Sequence, residues 1–480
     1  MIELLERRQF LTRLMNFAAA ASITGVAAGC RLSHRASGPG TDERKAIIVI
    51  GAGVAGLSAA RALTDAGRQV VLLEARRRLG GRTFTDSVGA ANVDLGGAWM
   101  HGVGYTPLRA VVDSAGLRYD RHSLEPDGLY DAISSSRLNM VELLQLERTL
   151  SGFDPGKLQA YNIPATSVAD GIEEYLGRVS LGESTRERAR FALETLYSSL
   201  AGSMDRQALK EFEVDWPYYK TWGKVDEDDF VVRGGYRTLV DFLADGMDIR
   251  TGTAVQKVVH GPDGVEVVTQ SGVVAGSHAI VTVPLGVLKS GSIDFEPQLP
   301  EEKLGAIERL GFGTFEKVVL TYASKFWEGR IGVTTYYAGT GVNRAFPLFI
   351  DMTAFSGAPT LVCIYAGKFA QIAQATLDDE TIARRAHEAV AELMARPVPL
   401  PAATRVTRWQ SDPFSRGSYS FVSTDSREND HALLAQPVGS RLGFAGEATS
   451  TAMASTVDGA LMSGLREARR IASNATLPGL

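Results

Sequence analysis

Two cysteines, Cys30 and Cys363, in 480 residues are too few for a disulfide framework or for a thiolate cluster that would hold zinc or an iron–sulfur centre. Redox chemistry in this chain therefore needs an organic cofactor. Positive charge is not in surplus: 50 Lys+Arg stand against 55 Asp+Glu, a net charge of −5, so nucleic-acid binding is disfavoured. The uncharged stretch from Leu14 to Gly29 would rise about 24 Å as a helix, short of the roughly 30 Å hydrocarbon core, and is mostly Ala, Gly and Ser. That excludes it as a permanent span. A composition of 45% hydrophobic and 22% charged residues excludes a disordered or fibrous chain, and the length exceeds one ordinary domain of roughly 100–200 residues. Two or three packed units are expected.

The segment Glu6-Arg7-Arg8-Gln9-Phe10-Leu11 ahead of that stretch has the order of a basic region followed by an apolar one. It resembles a twin-arginine export signal over residues 1–30, with Glu6 where Ser or Thr is usual, and implies a protein exported to the periplasm or beyond. Ala27-Ala28-Gly29-Cys30 resembles a lipobox, which leaves two outcomes: a lipid anchor at Cys30, or simple cleavage nearby. Residues 31–43 are polar, contain Gly-Pro-Gly and read as a flexible linker.

Glycine is plentiful, at 50 residues, and falls in clusters. The apolar run Ala46 to Ile50 predicts a buried parallel strand, and Gly51-Ala52-Gly53-Val54-Ala55-Gly56 follows it as G-x-G-x-x-G. Gly51 permits the tight turn, Gly53 the approach of a pyrophosphate to a helix N-terminus, and Gly56 close helix–strand packing. A helix from Leu57 to Ala66 and a strand from Gln69 to Leu73 end at Glu74, placed to accept from ribose hydroxyls. Together these predict a dinucleotide site. Next comes Ala75-Arg76-Arg77-Arg78-Leu79-Gly80-Gly81-Arg82, whose glycine pair admits further backbone approach and whose Arg76 and Arg82 can pair with phosphate oxygens. This resembles the R-x-G-G-R signature of FAD enzymes of the glutathione-reductase type.

From here the chain resembles the flavin amine oxidases, the family of monoamine oxidases, polyamine oxidases and lysine-specific histone demethylases. The similar blocks run in order from Lys45 to Ile471. Asp94 to Gly102, with Gly97, Ala98 and Trp99, resembles the segment beside the flavin ring; Thr253-Ala254-Val255 resembles the strand that meets the adenine. Arg441 to Thr449, with Glu447, and Ser455-Thr456-Val457-Asp458-Gly459-Ala460 resemble the terminal flavin-binding motif. The resemblance implies an α/β fold: a discontinuous, Rossmann-like FAD-binding domain (44–124, 230–300 and 406–480) with an inserted α+β substrate domain (125–229 and 301–405).

It also implies chemistry. Period-two counting puts Lys317 on the same strand face as Phe315 and Val319, and on spacing alone such a lysine is an ordinary surface group. The matching G-F-G-x-x-x-K-V-V-L strand implies that Lys317 holds a water near the flavin and assists reoxidation by O2. His101 resembles a channel histidine of polyamine oxidases, and a structural hydrogen bond is its alternative. Tyr419 matches one aromatic wall of the amine site; the second wall falls at Met453, a departure that weakens the expectation of amine specificity. Ser418 stands where covalent members carry a flavin-linking cysteine, implying noncovalent FAD, and Cys363 reads as a buried strand residue.

The resulting expectation is an exported FAD-dependent amine oxidase. It would oxidise a polyamine or other amine to an imine and then an aldehyde, with O2 reduced to hydrogen peroxide. The alternatives are an L-amino-acid oxidase using Arg137 or Arg344 for the carboxylate, a flavin desaturase or dehydrogenase on a non-amine, and a flavoprotein without turnover. The acidic run Glu211, Glu213, Asp215 and Asp226 to Asp229 reads either as a solvated face or as an attractor of cationic amines.

Overall fold

The computed structural model describes residues 46–101, 106–122, 128–131, 136–153, 166–198, 201–209, 229–338 and 345–480. The expected export signal, linker and Cys30, together with Arg344 and the acidic residues 211–228, lie outside the described residues, as does the side chain of Arg137. Among the described residues no helix is long and apolar enough to cross a membrane, and no cluster of three His, Cys, Asp or Glu could hold a metal ion.

Strand Ile47–Ile50 is the centre of a five-stranded parallel sheet. Val70–Leu73 and then Ile249–Arg250 lie on one side of it, His278–Val281 and then Leu442–Phe444 on the other. Ile47 to Ile50 are all buried, as a continuous apolar strand covered on both faces must be. One cover is the helix pair Val54–Asp65 and Val457–Ile471, which packs close enough for the Ser58 hydroxyl to donate to the Leu461 carbonyl at 2.9 Å. Gly464 permits this approach, because a Cβ there would lie 2.1 Å from the Ala55 carbonyl oxygen. The other cover includes a four-stranded sheet ordered Gly272–Gly276, Gly264–Thr269, Val255–Gly261 and Asp294–Glu296.

A separate seven-stranded sheet begins with Ala403–Val406, Phe315–Thr321, Thr360–Ala366 and Leu348–Asp351, continues through Thr334–Ala338 and Gly128–Asp131, and ends at Ser136–Arg137. Helix Asp379–Met394 packs on it, started by Asp378, whose side chain accepts the N–H of Thr381. Cys363 is fully buried in this sheet, as its apolar surroundings in the sequence predicted. Lys317 is on the strand next to it, and its side chain reaches the carbonyls of Asp94 and Gly96.

Candidate active site and cofactor cleft

The cleft starts where the central strand ends. Gly51 turns the chain at φ +104°, and a Cβ there would sit 2.7 Å from the Thr282 hydroxyl of the neighbouring strand end. Gly53 is the N-cap of helix Val54–Asp65 and supplies no side-chain cap, so the first helical N–H groups are open to a ligand. A Cβ on Gly53 would meet no protein atom within 4 Å: the glycine borders open space. Gly56 is different in kind, because its Cβ would lie 1.8 Å from the Gly51 carbonyl oxygen. It serves packing, as the spacing predicted, and does not line the cleft.

A cavity of about 340 Å³ opens here. Gly51, Gly53 and Ala55 line it from the first turn, Glu74, Ala75 and Arg76 from the end of the second strand, and Gly80, Gly81, Arg82 and Gly97 from the segments beyond. Val255 joins at the start of its strand, two residues later than the Thr253-Ala254-Val255 segment expected, although all three line the wall. Glu447, Thr456, Val457 and Tyr419 complete it from the last part of the chain. Ala98 is buried behind the wall and Trp99 stands behind it as well, so neither lines the cavity.

The charged residues are arranged differently from expectation. Glu74 is buried in the cavity wall, and its carboxylate accepts the backbone N–H groups of Ala52 (2.7 Å) and Arg76 (2.8 Å), one on each oxygen, which leaves lone pairs to spare. Arg76 pairs with Asp412 at 2.7 Å, and Arg82 donates to Glu447 at 2.9 Å and to the Ser418 carbonyl at 2.8 Å. Both guanidinium groups thus have protein partners distant in sequence where phosphate oxygens were expected. Glu447 likewise has its oxygens taken by protein donors: Arg82, the Ser420 hydroxyl at 2.6 Å and the Ser455 N–H at 2.9 Å. It ties the cavity wall together rather than offering a free carboxylate.

Lys317 is 3% exposed. Its amine donates to the carbonyls of Asp94 (2.8 Å) and Gly96 (2.7 Å) and lies 4.7 Å from the centre of the Trp99 ring, over its face. It therefore reaches the peptide next to Gly97 without lining the cavity itself. Burial lowers its pKa to about 8, against the pull of the Asp94 carboxylate. Burial raises Asp94 to about 6, opposed by the Thr85 hydroxyl, Lys317 and the Tyr236 N–H. His101 is half exposed and bonded through Nδ1 to Asp229 at 2.7 Å; partial desolvation works against its charge, and Asp229 outweighs that and raises its pKa. Burial, with the Glu447 charge behind it, raises the Tyr419 pKa, so the phenol stays protonated.

Met453, expected as the second wall of the amine site, is buried. It is 3% exposed and absent from the cavity lining, whereas Ser455 and Thr456 line it. Ser455 adopts φ +68°, and this turn directs Thr456 to the cleft as the N-cap of the last helix, its hydroxyl accepting the Gly459 N–H at 2.9 Å. Ser418 gives and takes hydrogen bonds with the Phe315 backbone at 2.8 and 2.7 Å, and Cys363 does not line the cavity. Of the residues given no site role in the sequence, Thr282 lines the cavity, while Glu316 and Trp409 do not line it and bond to Thr407, Gln410 and the Leu95 carbonyl.

A flavin-containing amine oxidoreductase family model matches residues 54–472. The chain is 33% identical over 460 residues to a lysine-specific histone demethylase 1 homolog of Oryza sativa subsp. japonica, covering 88% of this chain and 52% of that protein. It is 29% identical over 450 residues to the human lysine-specific histone demethylase 2, covering 90% and 54%. A solved structure of a putrescine oxidase variant superposes with a TM-score of 0.70 at 22% identity, covering 90% of this chain and 99% of that one, and shows the same fold. The chain spans about half the length of the curated relatives it matches. It belongs to the flavin-containing amine oxidoreductases, an FAD family whose enzymes act on amines. The residues present fit that cofactor: an uncapped helix N-terminus, a glycine whose missing side chain leaves space, and an acid with lone pairs to spare.

Proposed function

We propose that this protein is an amine oxidase that uses noncovalent FAD and O2, with polyamines or other secondary amines as its substrates. The observation that carries the reading is Lys317, a buried amine held against the peptide behind the cavity wall. A lysine buried among apolar neighbours loses solvation and persists where its charge has a use.

Bound FAD supplies a two-electron acceptor for the C–N bond and returns the electrons to O2. The helix N-terminus at Gly53 would hold the diphosphate of FAD, and Glu74 would accept from its ribose hydroxyls. Tyr419 offers the amine an aromatic wall with its hydroxyl protonated. Ser455 and Thr456, both small, line the same cavity as Tyr419. Lys317, held against the peptide next to Gly97, would supply positive charge behind the wall that the flavin would face during reoxidation by O2. The substrate loses two electrons and two protons to become an imine, O2 becomes H2O2, and water hydrolyses the imine to a carbonyl and an amine.

Anaerobic mixing of the purified flavoprotein with spermidine, spermine, putrescine, aromatic monoamines and L-amino acids tests this. Bleaching by the polyamines, followed by stoichiometric peroxide on admission of oxygen, is the expected result. Bleaching by amino acids alone, or reduction without peroxide, would replace it with the amino-acid or dehydrogenase reading. Acid treatment should release the flavin intact. Export is part of the proposal: changing Arg7 and Arg8 to Lys should retain the protein in the cytoplasm, and labelling with palmitate that is lost in Cys30→Ser would establish the anchor.

A further inference from the structure

Glu316 and Lys317 are neighbours on the strand Phe315–Thr321 and so project to opposite faces. Glu316 is fully buried and does not line the cavity. Its carboxylate accepts the Thr407 hydroxyl and, at 3.2 Å, the backbone N–H of Gln410, with the Trp409 backbone also donating to it. The same Thr407 oxygen accepts the Lys317 N–H at 2.8 Å. Residues 407–410 are thereby fixed to the strand that carries the lysine.

That segment presents Trp409, 6% exposed, whose indole N–H donates to the Leu95 carbonyl at 3.2 Å. The carbonyls on either side, Asp94 and Gly96, are the two that receive the Lys317 amine. The indole also packs on this peptide: a Cβ at Gly96 would lie 3.2 Å from Trp409 Cζ2. Three successive carbonyls are therefore fixed by two side chains, and the contacts close a circuit from the Lys317 backbone through Glu316, Trp409 and Leu95 to Lys317 Nζ.

We infer that Glu316 and Trp409 are positioning residues for Lys317: Trp409 sets the peptide that receives the amine, and Glu316 sets Trp409. The inference rests on the reading of Lys317 as the group that serves oxygen. A merely structural pair would lower stability and flavin content without energetic coupling to the lysine.

The test is reoxidation of the dithionite-reduced holoenzyme by O2 in a stopped-flow instrument, for wild type, Lys317→Met, Trp409→Phe and the double variant. Trp409→Phe keeps an aromatic ring and removes the donor, and it should lower the rate constant roughly tenfold or more. The double variant should be no slower than Lys317→Met, since the tryptophan acts through the lysine. Glu316→Ala should follow Trp409→Phe while Glu316→Gln retains most of the rate; Thr407→Val, which cuts the same link at its hydroxyl, takes its place if Glu316→Ala does not fold. Additive effects in the cycle, or a Trp409→Phe enzyme that reoxidises at the wild-type rate, would overturn the inference. A Lys317→Met enzyme with wild-type reoxidation would remove the reading of Lys317 itself, and the positioning role with it.

Discussion

Arg82 and Glu447, 365 positions apart in sequence, meet at 2.9 Å in the wall of the cofactor cleft. Glu447 gathers Ser420 and Ser455 on its other oxygen, so one carboxylate joins the second glycine turn, the strand that follows Tyr419 and the entry to the last helix. Removing it leaves a mostly buried guanidinium with one carbonyl partner. Glu447→Ala should destabilise the protein by about 3 kcal/mol or more and abolish flavin retention, whereas Glu447→Gln should cost much less. Denaturant titration of the apoprotein and flavin content after gel filtration check both.

Gly53 and Gly56 are three residues apart and should fail in opposite ways. Gly53 has an ordinary φ of −75° and open space where a Cβ would go, so Gly53→Ala should fold with unchanged apoprotein melting and lose FAD affinity by roughly tenfold or more. Gly56→Ala would push a methyl to within 1.8 Å of the Gly51 carbonyl and should damage folding itself. Melting of the apoprotein combined with FAD titration by fluorescence quenching separates the two outcomes.

Lys317, lowered by burial to about 8, is charged below that pH and neutral above it. Reoxidation by O2 should therefore be fast on the acid side and fall as pH rises through about 8. In Lys317→Met the rate should be low and flat across the same range, with amine-driven flavin reduction much less affected. Rapid mixing of the reduced enzyme with oxygen from pH 6 to 10 measures the profile.

Asp458, buried at the start of the last helix and accepting the Leu108 N–H at 3.0 Å, is raised by burial from 3.8 to about 6. The folded protein then holds this proton more tightly than the unfolded chain. Its contribution to stability is full below about pH 4 and is lost as pH rises through 6. Asp458→Asn keeps an acceptor without the titration, so its stability relative to wild type should improve by on the order of 2 kcal/mol between pH 4 and 7. Urea unfolding of both proteins across that range is the check.

The first half of the cleft was legible because its chemistry is local. Gly51, Gly53, Gly56 and Glu74 act through the turn, helix and strand that contain them, and their spacing already encodes that geometry. What escaped depends on partners far along the chain. Arg76 finds Asp412 336 positions away, and no spacing near either residue announces the pair. Met453 is buried, and the residues that line the cavity beside it are Ser455 and Thr456, which follow a positive φ at Ser455 that no sequence pattern announces. Glu316 looks in sequence like any polar residue of a half-exposed strand, and Trp409 like an ordinary core aromatic; their significance is a closed circuit that exists only in three dimensions.

The order of strands in the parallel sheet has a consequence for biosynthesis. Its strands are recruited from residues 47–73, 249–281 and 442–444, so the edge strand Leu442–Phe444 and the helix Val457–Ile471 leave the ribosome after the other four strands. A nascent chain arrested before Leu442 has the glycine turn and Glu74 but lacks Glu447, Ser455 and Thr456. Flavin capture is thus a late event in the life of each molecule, and a truncation near the C-terminus should yield a protein that is colourless rather than merely slow.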